Sequence, residues 1–467
     1  MKPLLRLALP IMATSLVQMA YNLTDLIWIG RVGSRAVAAV GTAGFFTWLG
    51  FSLIIMCKIG AQVGVAQAVG RKDNRELRNY ARNALQLNFL LSVGYASLLL
   101  LTRKALIGFF GITEQPVIDN AINYLTIVSC GIAFMFINPV FSGILNGLGE
   151  SKTPFLINST GLVLNIILDP ILIFGLGPFP EMGVIGAAMA TIFSQFVVTV
   201  IFVIVISRNS RELARMKLIR LPSWKYISKI IKLGAPVGLH SALFTLFAML
   251  LARIVAQWGP VPIAIQKVGA HIEAISWMTA DGFAAAMATF IGQNYGAGKW
   301  DRIRKVYFAG LSSVSVIGLI STTLFVFLAE PIFRIFIPET ESIAMGSVYL
   351  RILGYSQLFM CIEIASAGAF HGLGRTIPPS LIGILFTGLR VPAALILSRE
   401  SLLGLKGVWW SISISSYFKG IILIVWFLII LFRKTSWPRP MLTKRLGSRW
   451  RFTYLRDKNC LQEKPDV

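Results

Sequence analysis

The sequence predicts an all-α integral membrane protein of twelve transmembrane helices in two pseudo-symmetric six-helix bundles, on the strength of its composition, its long apolar runs and an internal repeat. Of 467 residues, 55% are hydrophobic and 14% charged, and the mean hydropathy is +0.72. That is more apolar surface than one water-facing core can hide, so the solvent is lipid. A spanning helix needs about 20 mostly apolar residues. Such runs fall at 8–30, 37–60, 84–101, 117–145, 155–175 and 183–206, then at 233–257, 263–290, 307–328, 343–370, 379–397 and 407–432.

The second six runs repeat the first. Pro10 and Pro236 lie 226 residues apart, as do Gly33 and Gly259, Gln67 and Gln293, and Gly70 and Gly296. Tyr124 and Tyr349, and Gly147 and Gly372, lie 225 apart. Six spans return the chain to its starting side, so the halves share one orientation about an axis along the membrane normal. The expected units are an N-lobe of six helices over 1–215, a C-lobe of six over 216–433 and a basic cytoplasmic tail over 434–467, with the seam in the basic linker from Arg208 to Lys232. The segments Arg71 to Arg82 and Lys299 to Lys305 read as short amphipathic pieces at the inner surface.

Charge sets the orientation. Threading twelve spans places 31 of the 44 Lys and Arg on the side of both termini and 7 on the other. The remaining six, Lys58, Arg253, Lys267, Arg351, Arg390 and Lys419, fall inside apolar segments. Short cytoplasmic loops collect Lys and Arg, so both termini are expected in the cytoplasm and the protein in the inner membrane. The net charge of +24 then reports topology and a lipid-bilayer partner, with no nucleic acid. Cys57, Cys130, Cys361 and Cys460 are widely spaced, with no CxxC and no disulfide framework. The apolar opening stretch continues past Asp25 to Trp28 and reads as an uncleaved first helix.

An ionised carboxylate at mid-membrane costs about 2.5–3.5 kcal/mol, which makes intramembrane acids functional candidates. The first half has Asp25 and Asp169. Asn165 and Asp169, four apart, share a helix face, and Pro170 strips the Ile166 carbonyl of its helical donor. Thr191, with Tyr21 and Asn22 about a turn from Asp25, completes a pocket of hard oxygens suited to Na⁺ or a shared proton, unless each polar group only joins neighbouring helices. In the second half Glu273, Asp281 and Glu363 have Arg253, Lys267, Arg351, Arg390 and the three histidines as candidate partners. Glu273 and Glu363 serve coupling or substrate contact, or else structural ion pairing. His240, His271 and His371 have no metal spacing and read as packing or loop residues. No GxxxxGK[ST] motif exists, which argues against ATP as the energy source. Gly60 and Gly64 form a GxxxG read as a close-packing seam.

The segments LALPIMATSLVQMAYNLTDLIWIGRVG, GAQVGVAQAVGRKD with GFAAAMATFIGQNYGAGK, GILNGLGESKTP, and NIILDPILIFGLG followed by GVIGAAMATIFSQ resemble those of prokaryotic multidrug and toxic compound extrusion (MATE) transporters. The resemblance runs to about Arg433 and is closer to the DinF-like branch than to the NorM branch, because the seventh span lacks the glutamate of the latter. It implies a V-shaped molecule whose lobes enclose a cavity that opens alternately to either side. On this resemblance Asp25, Asn165, Asp169 and Thr191 occupy the coupling-cation or proton positions, Gln18 and Tyr21 line the cavity, and Pro10 marks the bend of the first helix. The expected substrate cavity comprises Gln18, Tyr21, Asn22, Glu273 and Glu363. The expected activity is export of hydrophobic, often cationic drugs against Na⁺ or H⁺, by a monomer without a cofactor and without enzymatic chemistry. A lipid-linked oligosaccharide flippase would want a wider, Arg-rich cavity. A membrane-embedded enzyme would want a His or metal cluster, and a passive channel would not explain the duplication.

Overall fold

The computed structural model describes residues 2–112, 114–209, 211–216, 218, 220–336 and 339–432. The expected tail over 434–467 lies outside the described residues. The described residues form helices α1 (Lys2–Val32), α2 (Ser34–Gly70), α3 (Asn74–Gly108), α4 (Gln115–Leu148), α5 (Lys152–Phe174), α6 (Gly183–Asn209), α7 (Arg211–Ala214), α8 (Trp224–Ala256), α9 (Pro260–Gly296), α10 (Trp300–Phe327), α11 (Ala329–Arg334), α12 (Thr340–Gly372), α13 (Ile377–Leu397) and α14 (Leu405–Phe432). All but the short α7 and α11 are long and apolar enough to cross a membrane, giving 12 spans among the described residues.

Each half opens with the same joint. Gly33 and Gly259 cap α2 and α9 with φ of 135° and 100°, a left-handed backbone that only glycine adopts without strain. The expected amphipathic pieces at 71–82 and 299–305 are not separate elements. After a tight turn at 71–73 the chain enters α3, which Asp73 caps by accepting from the Glu76 backbone N–H at 2.9 Å. The basic residues are thus the first turns of a spanning helix, and α10 begins likewise at Trp300. The Gly60–Gly64 seam does carry close packing: a Cβ at Gly60 would meet Ile230 of α8 at 2.7 Å, and one at Gly64 the Tyr80 ring of α3 at 2.3 Å.

Within each half the packing repeats, α2 on α4 and α5 on α6 matching α9 on α12 and α13 on α14. Two helices cross between halves. Helix α1 lies against α5 of its own half and α9 of the other, and α8 lies against α13 and α2. Leu4, Leu7, Ala8 and Ile11 are buried in a core shared with α9, α10, α12, α13 and α14, whereas Ile227 and Ile230 are buried among α2, α3, α4, α5 and α6. Pro10 therefore sits where α1 leaves the second half's core to join its own half, and Pro236 holds the matching place on α8. The helix continues through both prolines, each of which removes one ladder bond.

Candidate coupling and substrate site

Three helices of the first half bring the predicted oxygens together. Tyr21 and Asp25 come from α1, Asn165 and Asp169 from α5, and Thr191 from α6. Asn165 Nδ2 donates to Asp169 Oδ1 at 3.0 Å, across the one helical turn anticipated from their spacing. Thr191 Oγ1 donates to Asp25 Oδ2 at 3.5 Å, and the Tyr21 hydroxyl donates to the Thr191 carbonyl at 3.5 Å. Asn165 and Asp169 are fully buried, and Tyr21 and Thr191 nearly so.

The oxygens left over define the chemistry. Asp25 Oδ1, Asn165 Oδ1 and Asp169 Oδ2 are buried without a hydrogen-bond partner. Leaving a buried polar atom unpaired costs about 1–3 kcal/mol, more for a charged group. Two neighbouring carboxylates and an amide carbonyl therefore call for a hard cation or a shared proton. Among the described residues no three His, Cys, Asp or Glu side chains gather as a metal cluster. The unpaired atoms of Asp25, Asn165 and Asp169 are all hard oxygens.

Sequence reasoning missed Tyr124 of α4, an electrostatic neighbour of both Asp25 and Asp169. The sequence signal was the Tyr124–Tyr349 repeat pair: Tyr349 donates to Glu273 at 3.4 Å, and Tyr124 lies near Asp25 and Asp169. Gln18 is exposed on α1, one turn before Asn22. The side chain of Asn22 lies outside the described residues.

The structure does not bring Glu273 and Glu363 to the Asp25 cluster. Glu273, on α9, accepts from Gln357 Nε2 at 2.8 Å. Glu363, on α12, pairs with Lys419 of α14 at 2.8 Å, both side chains being largely buried at 12% and 6% exposure. Lys419 was not among the partners expected for this acid, because the two are 56 residues apart and only the packing of α12 on α14 joins them. Arg390, which the 225-residue interval matches to Asn165, donates to Ser415 and Ser416. The second half thus holds a guanidinium where the first holds an amide beside an acid. Asp281 is exposed on α9 with Lys58 of α2 as its electrostatic neighbour, which places it at the cleft between halves. His240 packs on Phe244, and His271 is exposed.

The MatE family model matches the chain twice, over residues 10–171 and 236–396, displaced by the interval of the sequence repeat. The "Probable multidrug resistance protein NorM" of Thermotoga maritima is 30% identical over 429 residues, covering 91% of this chain and 92% of that protein. The "FAD transporter" of Shewanella oneidensis is 24% identical over 426 residues, covering 90% and 92%. A solved structure described as MATE in the bent conformation aligns with TM-score 0.85 and 25% identity over 92% of this chain and 95% of its own.

Proposed function

The chain belongs to the MATE family, whose members are transporters and not enzymes, and from that premise we propose that it is a secondary antiporter exchanging Na⁺ or H⁺ for hydrophobic, often cationic compounds. Multidrug resistance is what the Thermotoga maritima relative's name carries, and FAD transport what the Shewanella oneidensis relative's carries.

One observation carries the reading: the Asp25 and Asp169 carboxylates and the Asn165 carbonyl end in three buried oxygens without partners. A cation or proton arriving there neutralises two like charges held in a medium of low dielectric. The same acids attract an organic cation, so ion and cargo compete for one field. The mover is α1, which carries Asp25 in its own half and has its first turns in the other half's core. Bending it near Pro10 would couple occupancy of the site to rocking of 1–215 against 216–433. Gln18 and Tyr21 would wall the cargo path beside Asp25, with Asn22, Glu273 and Glu363 contributing elsewhere along it. The 241–251 stretch of α8 carries no charged residue, and the absence of a glutamate there supports placement nearer the DinF-like branch. We place both termini in the cytoplasm, on the uneven distribution of Lys and Arg, in a chain that spans the inner membrane and acts as a monomer.

The decisive measurement is uptake of a fluorescent organic cation into inverted vesicles, with Na⁺ and pH gradients imposed separately. Uptake should follow one gradient and collapse when it is dissipated. Uptake indifferent to both would overturn the antiport reading.

A further inference from the structure

Where the linker between halves meets the start of α3, the surface folds into a cavity of about 980 Å³. Its wall carries six cations, Arg75, Arg78 and Arg82 from α3 and Arg215, Arg220 and Lys225 from the linker and α8, against two acids. Those acids are engaged. Glu76 pairs with Arg71 at 2.8 Å and Lys229 at 3.6 Å, and Asp73 caps α3. Arg78 is bound to Glu212. Among the described residues Arg75, Arg82, Arg215, Arg220 and Lys225 form no ion pair with an acid, and Arg82 Nε is buried without a partner.

The cavity is a built one. Gln86 Nε2 donates to the Leu218 and Arg220 carbonyls at 2.7 and 2.6 Å, and the Ser223 backbone N–H donates to Asn83 Oδ1 at 2.6 Å. Asn79 Nδ2 donates to the Tyr226 hydroxyl at 3.1 Å. These bonds fix the linker backbone to α3 beside the cations. At the rim Leu221, a lining residue, is 88% exposed, and Trp224 and Leu218, three residues from it in sequence, are 74% and 52% exposed. A soluble phosphate has no use for such a rim, whereas a lipid has both a phosphate for the cations and acyl chains for the apolar side chains.

We propose that this cavity binds the headgroup of an anionic phospholipid, its phosphodiester held by Arg75, Arg82 and Arg220 and its chains lying over Leu221 and Trp224. The site rests on the membrane reading of the fold and is independent of coupling ion and cargo, so it can fail while antiport stands. Because the linker joins the halves, an occupied site would also fasten it to the first half.

Native mass spectrometry of the full chain in detergent tests this with phosphatidylglycerol, phosphatidylcholine, glycerophosphate and inorganic phosphate as probes. Phosphatidylglycerol should bind at least about ten-fold tighter than phosphatidylcholine, and the preference should vanish in Arg75→Gln/Arg82→Gln/Arg220→Gln. It should survive Arg302→Gln/Lys305→Gln, which removes two exposed cations at the start of α10. Equal binding of the two lipids, or a preference unchanged in the triple variant, would overturn the proposal. So would displacement of phosphatidylglycerol by stoichiometric glycerophosphate or phosphate, which would make the ligand a soluble phosphate. If the triple variant does not fold, Leu221→Gln supplies the second test: it leaves the cations in place, adds no charge, and should weaken phosphatidylglycerol binding without creating binding of glycerophosphate. Unchanged lipid binding in Leu221→Gln would count against the acyl-chain half of the site.

Discussion

Gln67 of α2 and Gln293 of α9, repeat mates 226 residues apart, bind crosswise. Gln67 Nε2 donates to the Gly372 carbonyl at 3.1 Å, and Gln293 Nε2 donates to the Gly147 carbonyl at 3.0 Å, the two acceptors being repeat mates themselves. Beside them a Cβ on Gly70 would fall 1.9 Å from the Gln293 carbonyl oxygen, and one on Gly296 2.2 Å from that of Gln67. The halves are latched at the α2–α3 turn end of the molecule through backbone approaches that only glycine permits.

Opening the latch should shift the conformational balance. Each amide bond is worth about 0.5–1.5 kcal/mol, so Gln67→Ala or Gln293→Ala should raise the population open on this side by about 2- to 12-fold. Gly70→Ala should act more strongly, since its methyl meets backbone. Spin-label distances between the ends of α2 and α9 report the change. Unaltered distance distributions in Gly70→Ala would show that the latch does not govern opening.

Asp25→Asn and Asp169→Asn keep shape and hydrogen-bonding capacity while deleting a charge that is costly in the membrane. Each should reach the membrane at normal levels and lose gradient-driven efflux by about ten-fold or more, that is, ~1.4 kcal/mol. Because their unpaired oxygens serve one site, the double variant should be about as inactive as either single one. Compounding losses would mean two independent sites.

The Lys419–Glu363 pair predicts a pattern in stability. Lys419→Met strands a buried carboxylate, which costs about 3–5 kcal/mol, whereas replacing both partners by Lys419→Met/Glu363→Leu should recover most of the loss. Thermal unfolding in detergent distinguishes the two. A double variant as unstable as Lys419→Met would point to a role beyond mutual neutralisation.

Orientation is open to labelling. In a chain freed of its native cysteines, Lys104→Cys should react with an impermeant maleimide in intact cells and Lys72→Cys only after lysis, both positions being exposed. The reverse pattern would invert the proposed topology.

Much of this was legible in the chain because it is local. Twelve spans follow from apolar runs long enough to cross a bilayer, and the duplication follows from matching residues such as Pro10 and Pro236 in order. Asn165 and Asp169 meet because four residues make one helical turn. Asp25 announced itself through the cost of its charge.

Packing alone decided the rest. That Leu4 and Leu7 belong to the core of the far half, that Lys419 pairs with Glu363, and that Tyr124 lies near the acid pair depend on which helix lies beside which. An apolar helix face is equally at home against lipid or any apolar neighbour, so its sequence specifies that it spans and leaves open what it touches. The close approaches at Gly70 and Gly296, and the crossing of α1 and α8 between halves, supply that choice.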